Sequence, residues 1–576
     1  MAAVIRRFVY CSAIASIPLL TVCCFSTLVI HSGNREEFST SFLDAFGVFV
    51  PYVALLIGAF GLLGVIMTET GRSRYIAVLA ALALLLWTQS NLLVWDYGVF
   101  DGRDINWLEG AWRGVLDSSL WIIVMLAAIL LHSRLRKVLI FAAVGTLSVQ
   151  IISVAMTHSG SRAALISSQN FASDIEGKAA IKRFSRNQNV VHIVMDGFQA
   201  DIFQDIVNDP SNDSVKSQLQ GFTFFSNHLG AYPYTQLTIP ALLSGKLYRN
   251  QVPIDDFVSD TLLGDTILNT AYNSGYEIDI AAPVALKNIY SLGVHTNAYG
   301  IGASGHVTPA DYIEVDSAKL IDLALFRSVP HFAKALIHRD ELWVFQAKVQ
   351  SAAYLQMRYF SDLAFLAELA DDMTADRETP VYKMIHVMLS HKPTLGNEEC
   401  EFDGRRTTNR KNVTIQSRCG LKGVLSVLDR MRKLAIYNDS LIVLMADHGA
   451  WVPVEDLAQS REVNAMSVAM AIPMLAIKPP QAQHGYQESN APTSIIDLPT
   501  TIAGLLGLNA EFKGIPAFSN QAQLNRRRYH LAYGFGPNPD AKGFLFPMQE
   551  YLVEGNAHDA DSWRKGRRYL PNGVVE

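Results

Sequence analysis

Three short segments of this chain end in side chains able to bind a metal ion. VVHIVMD closes on Asp196, LIVLMAD closes on Asp447 with His448 directly after it, and YKMIHVMLSHKP carries His386 and His391. A single aspartate at the end of an apolar run often does no more than cap a helix. Three such endings, supplying Asp, Asp-His and His-x4-His, point to a metal site. Oxygen and imidazole donors suit Zn or Mn better than Ca.

These side chains need elements to hold them. VVHIVMD is a short run rich in β-branched residues and stopped by Gly197, so it reads as a buried strand, and FQADIFQDIVND follows it as a helix. YEIDIAA, YKMIHVMLS, LIVLMAD and PMLAIKP are further core strands, with amphipathic helices between them, notably GLKGVLSVLDRMRKLA and DLPTTIAGLLGL. Strands alternating with helices predict an α/β domain with a mainly parallel central sheet. In such sheets chemistry sits at the carboxyl ends of the strands, where the three endings fall.

The composition divides the chain. Of 576 residues half are hydrophobic and only 18% are charged; 48 Lys and Arg stand against 53 Asp and Glu, a net charge of −5. That balance excludes a disordered protein and a nucleic-acid binder relying on bulk positive charge. The apolar excess lies before about residue 157, in five runs: Phe8–Ile30, Ala45–Met67, Tyr75–Trp95, Val115–Leu131 and Val138–Met156. Most approach the ~20 residues needed to cross a bilayer. The fourth is short and carries Asp117. The third contains Thr88, Gln89, Ser90 and Asn91, which read either as the end of a helix nearing the interface or as contacts to a neighbouring helix or lipid headgroup. The first run is longer than a signal peptide's apolar region and reads as an anchor.

Arg6 and Arg7, then Arg72 and Arg74, then Arg134, Arg136 and Lys137 flank the same ends of these runs, while the alternate loops are acidic or mixed. The positive-inside rule then places the N-terminus in the cytoplasm, and five crossings deliver the rest to the far side. The expected division is a transmembrane domain at 1–157, a polar linker at 158–187 and a soluble domain at 188–576. In the soluble domain Cys400 and Cys419 bracket a polar, basic loop. Outside the cytoplasm such a pair is expected to be a disulfide, two free thiols being the alternative.

Four ordered segments, VVHIVMDGF, AYPYTQLTIPALLSG, IHVMLSHKP and LIVLMADHG with SIIDLPTTIAGLLG after it, resemble the alkaline phosphatase/sulfatase superfamily from about Asn189 to about Leu508. The resemblance implies an alkaline-phosphatase-like α/β sandwich and a nucleophile about ten residues before the Gly of LLSG, which is Thr235. Sulfatases carry a Cys or Ser there for conversion to formylglycine, so a threonine disfavours sulfate chemistry. A threonine after N-terminal membrane helices is similar to the membrane phosphoethanolamine transferases and the lipoteichoic acid synthase group. By that resemblance Asp196, Thr235, Asp447 and His448 hold one divalent metal, Zn or Mn with Mg possible. Thr235 is the nucleophile, and His391, with His386 as companion, meets the transferred phosphate or leaving group. Two departures stand out. Those transferases usually have Glu at the position of Asp196, and the phosphoethanolamine transferases carry a further His about twelve residues after the Asp-His pair, where this chain reads AWVPVEDLAQS.

The resemblance implies a bacterial inner-membrane enzyme with an extracytoplasmic catalytic domain. Its donor would be a membrane phospholipid and its acceptor a surface glycan or glycolipid. The alternatives are a membrane-tethered hydrolase and a non-catalytic scaffold of polysaccharide assembly. Thr238 is the rival nucleophile, though directly before Ile-Pro it would more naturally begin or cap a helix. Tyr232 and Tyr234 either line the pocket or pack. Residues 319–345 read as a segment on the membrane surface or as a helix pair broken at Pro330. The basic clusters Arg405, Arg406, Arg410 and Lys411; Arg526, Arg527 and Arg528; and Arg564, Lys565, Arg567 and Arg568 are either anionic-ligand patches or solvated loops.

Overall fold

The structure is a computed structural model. It describes residues 1–34, 38, 40–95, 97, 107, 110–158, 171–301, 309–339, 343–349, 352–454, 463, 465–522, 526–534, 541 and 543–576. The chain forms two compact units, Met1–Gln169 with Gly305–Tyr354, and Asn170–Ser304 with Leu355–Glu576. Of the expected linker, 159–170 lies outside the described residues, and Phe171–Ile181 is helical.

Among the described residues the first unit contains five helices long and apolar enough to cross a membrane: α1 (Ala2–Gly33), α2 (Phe42–Ile66), α3 (Glu69–Asn91), α4 (Ala111–Leu130) and α5 (His132–His158). Caps set their starts: Ser41 Oγ accepts from Asp44 N at 3.2 Å and Thr68 Oγ1 from Gly71 N at 3.2 Å. Leu55, Leu62, Ile123 and Phe141 are exposed, as lipid-facing side chains would be. The basic loops meet at one end of the bundle. Arg7 and Arg72 both pair with Glu69, and Arg136 Nη1 donates to Ser73 Oγ at 3.1 Å.

Pro309–Ser328 and His331–His338 belong to this unit and form the helix pair broken at Pro330. Arg327 Nε donates to the Ser90 carbonyl at 2.8 Å, and the Ser90 and Ser328 hydroxyls lie 2.8 Å apart. Asp117, fully buried, accepts from Gln89 Nε2 at 3.0 Å, from Trp95 Nε1 at 2.9 Å and from His331 N at 3.1 Å. In a helix that crossed a membrane, a carboxylate would require such donors, because lipid offers none. Gln89 and Ser90 therefore touch neighbouring helices, while Asn91 ends α3.

The second unit is built on an eight-stranded sheet. Its strands in chain order are β1 (Asn189–Met195), β2 (Thr223–Phe225), β3 (Glu277–Pro283), β4 (Asn297–Ile301), β5 (Val381–Val387), β6 (Leu441–Met445), β7 (Leu475–Lys478) and β8 (Gln487–Ser489). Across the sheet the order is β8-β2-β7-β6-β1-β5-β3-β4. Only β7 runs against the others. β1 sits centrally, with Val194 opposite His386 of β5 and Met445 of β6. The period of two divides the core. Val191, Ile193, Met195, Ile385 and Val387 pack one face with the helices Ala200–Asn208 and Arg410–Lys433. Val190, Val194, Tyr382, Met384 and Val443 pack the other with Thr235–Ser244 and Leu498–Leu506. Burial on both faces explains why these strands read as unbroken apolar runs. A three-stranded antiparallel sheet follows: β9 (Arg527–Ala532), β10 (Met548–Glu554) and β11 (Trp563–Tyr569). Cys400 and Cys419 form a disulfide.

Candidate active site

Adjacent parallel strands bring the sequence-separated ligands together. β1 ends at Met195 and delivers Asp196, its neighbour β6 ends at Met445 just before Asp447 and His448, and β5 on the other side carries His386. All four are buried. One donor atom each of Asp196, His386 and Asp447 lies within 4.8 Å of the others, and the same holds for Asp196, His391 and His448. Asp196 belongs to both groups and is the hub.

The turn after β1 is shaped for this. Gly197 adopts φ +70°, a conformation that a side chain disfavours, and its N–H donates to Asp447 Oδ1 at 3.2 Å. Gly449 is required for another reason: a Cβ there would stand 1.8 Å from the Ala469 carbonyl oxygen.

Thr235 is the first residue of a helix capped by Tyr234 and closed by Gly245. Its hydroxyl donates to Asp447 Oδ2 at 2.6 Å and lies 3.4 Å from Asp196 Oδ2. The helix thus starts at Thr235, and the expectation that Thr238 begins or caps it is corrected. Thr238 lies inside the helix, fully buried, with its hydroxyl donating to the Tyr234 carbonyl at 2.9 Å. That back-bond to the preceding turn occupies its proton and turns it away from the carboxylates.

His448 Nδ1 donates to the Gly449 carbonyl at 2.8 Å. This leaves Nε2 facing the carboxylates, 3.5 Å from Asp196 Oδ1 and 3.5 Å from Asp447 Oδ2. His386 bridges the Tyr290 hydroxyl at 2.8 Å and Asp196 Oδ2 at 3.1 Å. Burial alone would lower the His386 pKa, but the bond to the Asp196 carboxylate outweighs it and holds the pKa above its ordinary value. For Asp196 burial acts to raise the pKa, yet His391, His386 and His448 together hold it far below the usual carboxylate range. His391 Nδ1 lies 2.6 Å from the Lys392 carbonyl.

The donor set fits a divalent cation. Two buried carboxylates meet at the Thr235 hydroxyl, an imidazole nitrogen of His448 faces both carboxylates, and Asp196 Oδ1 is buried without a hydrogen-bond donor. Two carboxylates so close in a dry interior call for a positive charge between them.

Sequence reasoning missed three neighbours. Trp451 packs its ring edge-on to His391 and His448, with centroids 4.8 and 5.1 Å away. Lys392 Nζ stands 4.0 Å over that same indole. Tyr290 reaches His386 from the end of the helix Val284–Tyr290. Trp451 lies three residues after His448, where a signal was available; Tyr290 belongs to no motif. Tyr232 and Tyr234 pack: the Tyr232 hydroxyl donates to the Tyr248 carbonyl at 3.1 Å, and Tyr234 lies edge-on to Tyr533.

Among solved structures the chain is similar to Ps i-CgsB in complex with k-i-k-neocarrahexaose, at 16% identity over 67% of this chain and 83% of that one, with a TM-score of 0.39. It is similar to the C-terminal periplasmic domain of EcEptC from Escherichia coli in complex with Zn, at 14% identity over 62% and 92%, TM-score 0.38. It is also similar to the lipoteichoic acid synthase LtaP from Listeria monocytogenes, at 10% identity over 67% and 86%, TM-score 0.35. No curated protein matches it in sequence. The family model described as Sulfatase matches residues 188–508, more than half of the chain and the whole span from β1 to Leu508. The chain belongs to the sulfatase family, within the alkaline phosphatase superfamily that its four ordered segments resemble.

Proposed function

We propose that this protein is a membrane-embedded, metal-dependent transferase. It moves a phospho-substituent, phosphoethanolamine or phosphoglycerol, from a membrane phospholipid to a surface glycan or glycolipid through a phosphothreonine intermediate. The observation that carries the reading is the Thr235 hydroxyl, 2.6 Å from Asp447 and 3.4 Å from Asp196 at the open end of three parallel strands. A threonine there cannot mature to formylglycine, so the site offers an ordinary alcohol as nucleophile.

Asp196, Thr235, Asp447 and His448 would hold the cation, Zn or Mn with Mg possible. When bound, it supplies positive charge that lowers the hydroxyl pKa and offsets the phosphoryl oxygens. Asp447 Oδ2 holds the hydroxyl proton and so aims the Thr235 oxygen lone pair outward. Thr235 Oγ1 forms a bond to phosphorus, its proton passing to Asp447 Oδ2, as the bond to the diacylglycerol oxygen breaks and His391 gives that oxygen a proton. An acceptor hydroxyl then attacks the same phosphorus, its proton passes to His391, and the Thr235 oxygen leaves, taking its proton back from Asp447. His386 sits behind Asp196 and fixes the carboxylate. The hydrogen bond from His448 to the Gly449 carbonyl keeps its Nε2 directed at the site.

Five apolar spans, basic loops gathered at one end and the Cys400–Cys419 disulfide support an inner-membrane protein with its N-terminus in the cytoplasm and its catalytic domain outside. The test is incubation of the purified chain with headgroup-labelled phosphatidylethanolamine and phosphatidylglycerol, with and without a lipopolysaccharide acceptor. The reading expects label on the glycan. Label released only as free headgroup, whatever the acceptor, would make the protein a hydrolase.

A further inference from the structure

The structure sorts the C-terminal basic clusters into two kinds. Arg526 pairs with Asp497 at 2.6 Å, and Arg528, buried, donates to the carbonyls of Asn227, Thr493 and Gly555, so both hold the fold. Arg527 pairs with Glu554 and Arg568 with Glu576 at the surface. Lys565 and Arg567 are different. Both are exposed on β11, and among the described residues neither has a carboxylate within ion-pair distance.

Both point to a cavity of about 570 Å³ lined by Arg249, Tyr529, Glu550, Leu552, Lys565 and Arg567, a size suited to a small ligand. The face is prepared. Glu550, only 6% exposed, accepts from the Tyr569 hydroxyl at 3.0 Å and lies 3.8 Å from Arg249. The Arg249 guanidinium sits 6.0 Å from the Tyr529 ring centroid and 5.8 Å from that of Tyr569. Its backbone is fixed, because the preceding Tyr248 is tied to Tyr232 by the hydroxyl-to-carbonyl bond and by its own N–H donating back at 2.5 Å. Tyr232 stands three residues before Thr235, at most about 11 Å of extended chain.

Three cations around one retained carboxylate, beside a half-buried tyrosine ring, make a mixed surface. A site for a bare anion has no use for Glu550, and a lipid surface would need more exposed aliphatic area than Leu552 gives. A sugar that carries an anionic group uses every part: hydroxyls for the carboxylate, a ring face for tyrosine, a charge for Lys and Arg.

We propose that the concave face of the C-terminal sheet is a binding subsite for anionic carbohydrate. Arg249, Lys565 and Arg567 take the uronate or sugar phosphate, Glu550 accepts hydroxyl hydrogens, and Tyr529 stacks on a ring. This deepens the transfer reading, in which such a glycan is the acceptor.

The test uses the full chain in detergent carrying Thr235→Ala, so that binding is read without turnover. Probes are a hexasaccharide of alternating glucuronate and N-acetylglucosamine, glucosamine 6-phosphate, neutral maltohexaose, inorganic phosphate, and vesicles of phosphatidylglycerol. One or both anionic sugars are expected to bind, maltohexaose and phosphate at least tenfold more weakly. Lys565→Glu with Arg567→Glu is expected to weaken anionic-sugar binding at least tenfold, and Tyr529→Ala about fivefold. These exposed charges lie away from the core, so the thermal midpoint of the double variant should stay within about 2 °C of its parent. Phosphate binding as tightly as the sugars would reduce the face to a simple anion site. Vesicle binding lost in the double variant, with no sugar binding, would make it a membrane contact. Sugar binding untouched by the double variant would place the ligand elsewhere. Each of these overturns the proposal. Failure of the transfer reading is a separate result, the absence of an adduct on Thr235 in the wild-type chain, and leaves this binding assay intact.

Discussion

Asparagine at position 447 should change the sign of its effect on stability with the metal content of the buffer. Asp196 and Asp447 present carboxylate oxygens within 4.8 Å of each other, both buried. At an effective dielectric constant near 20 two unit charges at that separation repel by about 3.5 kcal/mol. The hydrogen bond between His386 and Asp196 offsets part of this and leaves roughly 1–2 kcal/mol of net repulsion without a cation. Asp447→Asn removes it while keeping the shape. Oδ1 still accepts from Gly197 N, and the new amide donates to the Thr235 hydroxyl, which can accept. In chelator the variant should therefore be more stable than the parent by about 1–2 kcal/mol. With metal at a hundred times its dissociation constant the parent gains about 2.7 kcal/mol, and the variant, lacking a charged ligand, should lose most of that gain. Denaturant melts in EDTA and in excess Zn or Mn measure both. A variant less stable than the parent in chelator, or one that gains as much from metal, would refute the reasoning that these carboxylates are paired to hold a cation.

Three further outcomes follow from the same geometry. Thr238→Ala removes only a back-bond to the Tyr234 carbonyl and should retain the covalent adduct on the helix, as read by peptide mass, with stability lower by no more than about 1 kcal/mol. Gly197→Ala forces a side chain into φ +70° and should lower stability by about 1–2 kcal/mol in a denaturant melt and weaken metal binding through the lost Asp447 contact. His228 and His530 are fully buried, and burial pushes their pKa values down to about 3 and about 4, leaving Nε2 of each without a partner. Because the folded values are depressed, the neutral form stabilises the fold above the unfolded value near 6.5. That stability is withdrawn as pH falls from 6.5 toward 4, by about 1.4 kcal/mol per pH unit for each histidine. His530→Gln should flatten the slope in melts run in chelator between pH 6.5 and 5.

Much of the site was legible because its chemistry lies at strand ends. Asp196 and Asp447 each follow an unbroken apolar run, and the run itself announces a strand buried on both faces. The five long apolar helices were legible for a similar reason, since a crossing of lipid demands length and apolarity from a single segment. The fourth run, weak on composition alone, is a helix in which Asp117 is satisfied by donors from α3 and from His331. Those partners lie far apart in sequence and leave no local trace. The reversed direction of β7 is invisible in PMLAIKP, because an apolar run does not encode which way it points. The strands β2 and β8 are three residues each, too short for periodicity to show. His386 was ambiguous inside its apolar pattern; only the pairing of β5 with β1 turns it toward Asp196. The patch at Arg406, Arg410 and Lys411 is paired with Asp403, with Asp201 and Asp205, and with Glu398, as a solvated loop would be. The side chain of Arg405 is outside the described residues.

The most direct measurement is peptide mass spectrometry of the protein after exposure to native membranes and rapid acid quench. The account predicts a phospho-linked mass on the tryptic peptide that contains Thr235, absent in Thr235→Ala and present in Thr238→Ala. A covalent adduct on any other residue, or turnover of phospholipid undiminished in Thr235→Ala, would contradict it.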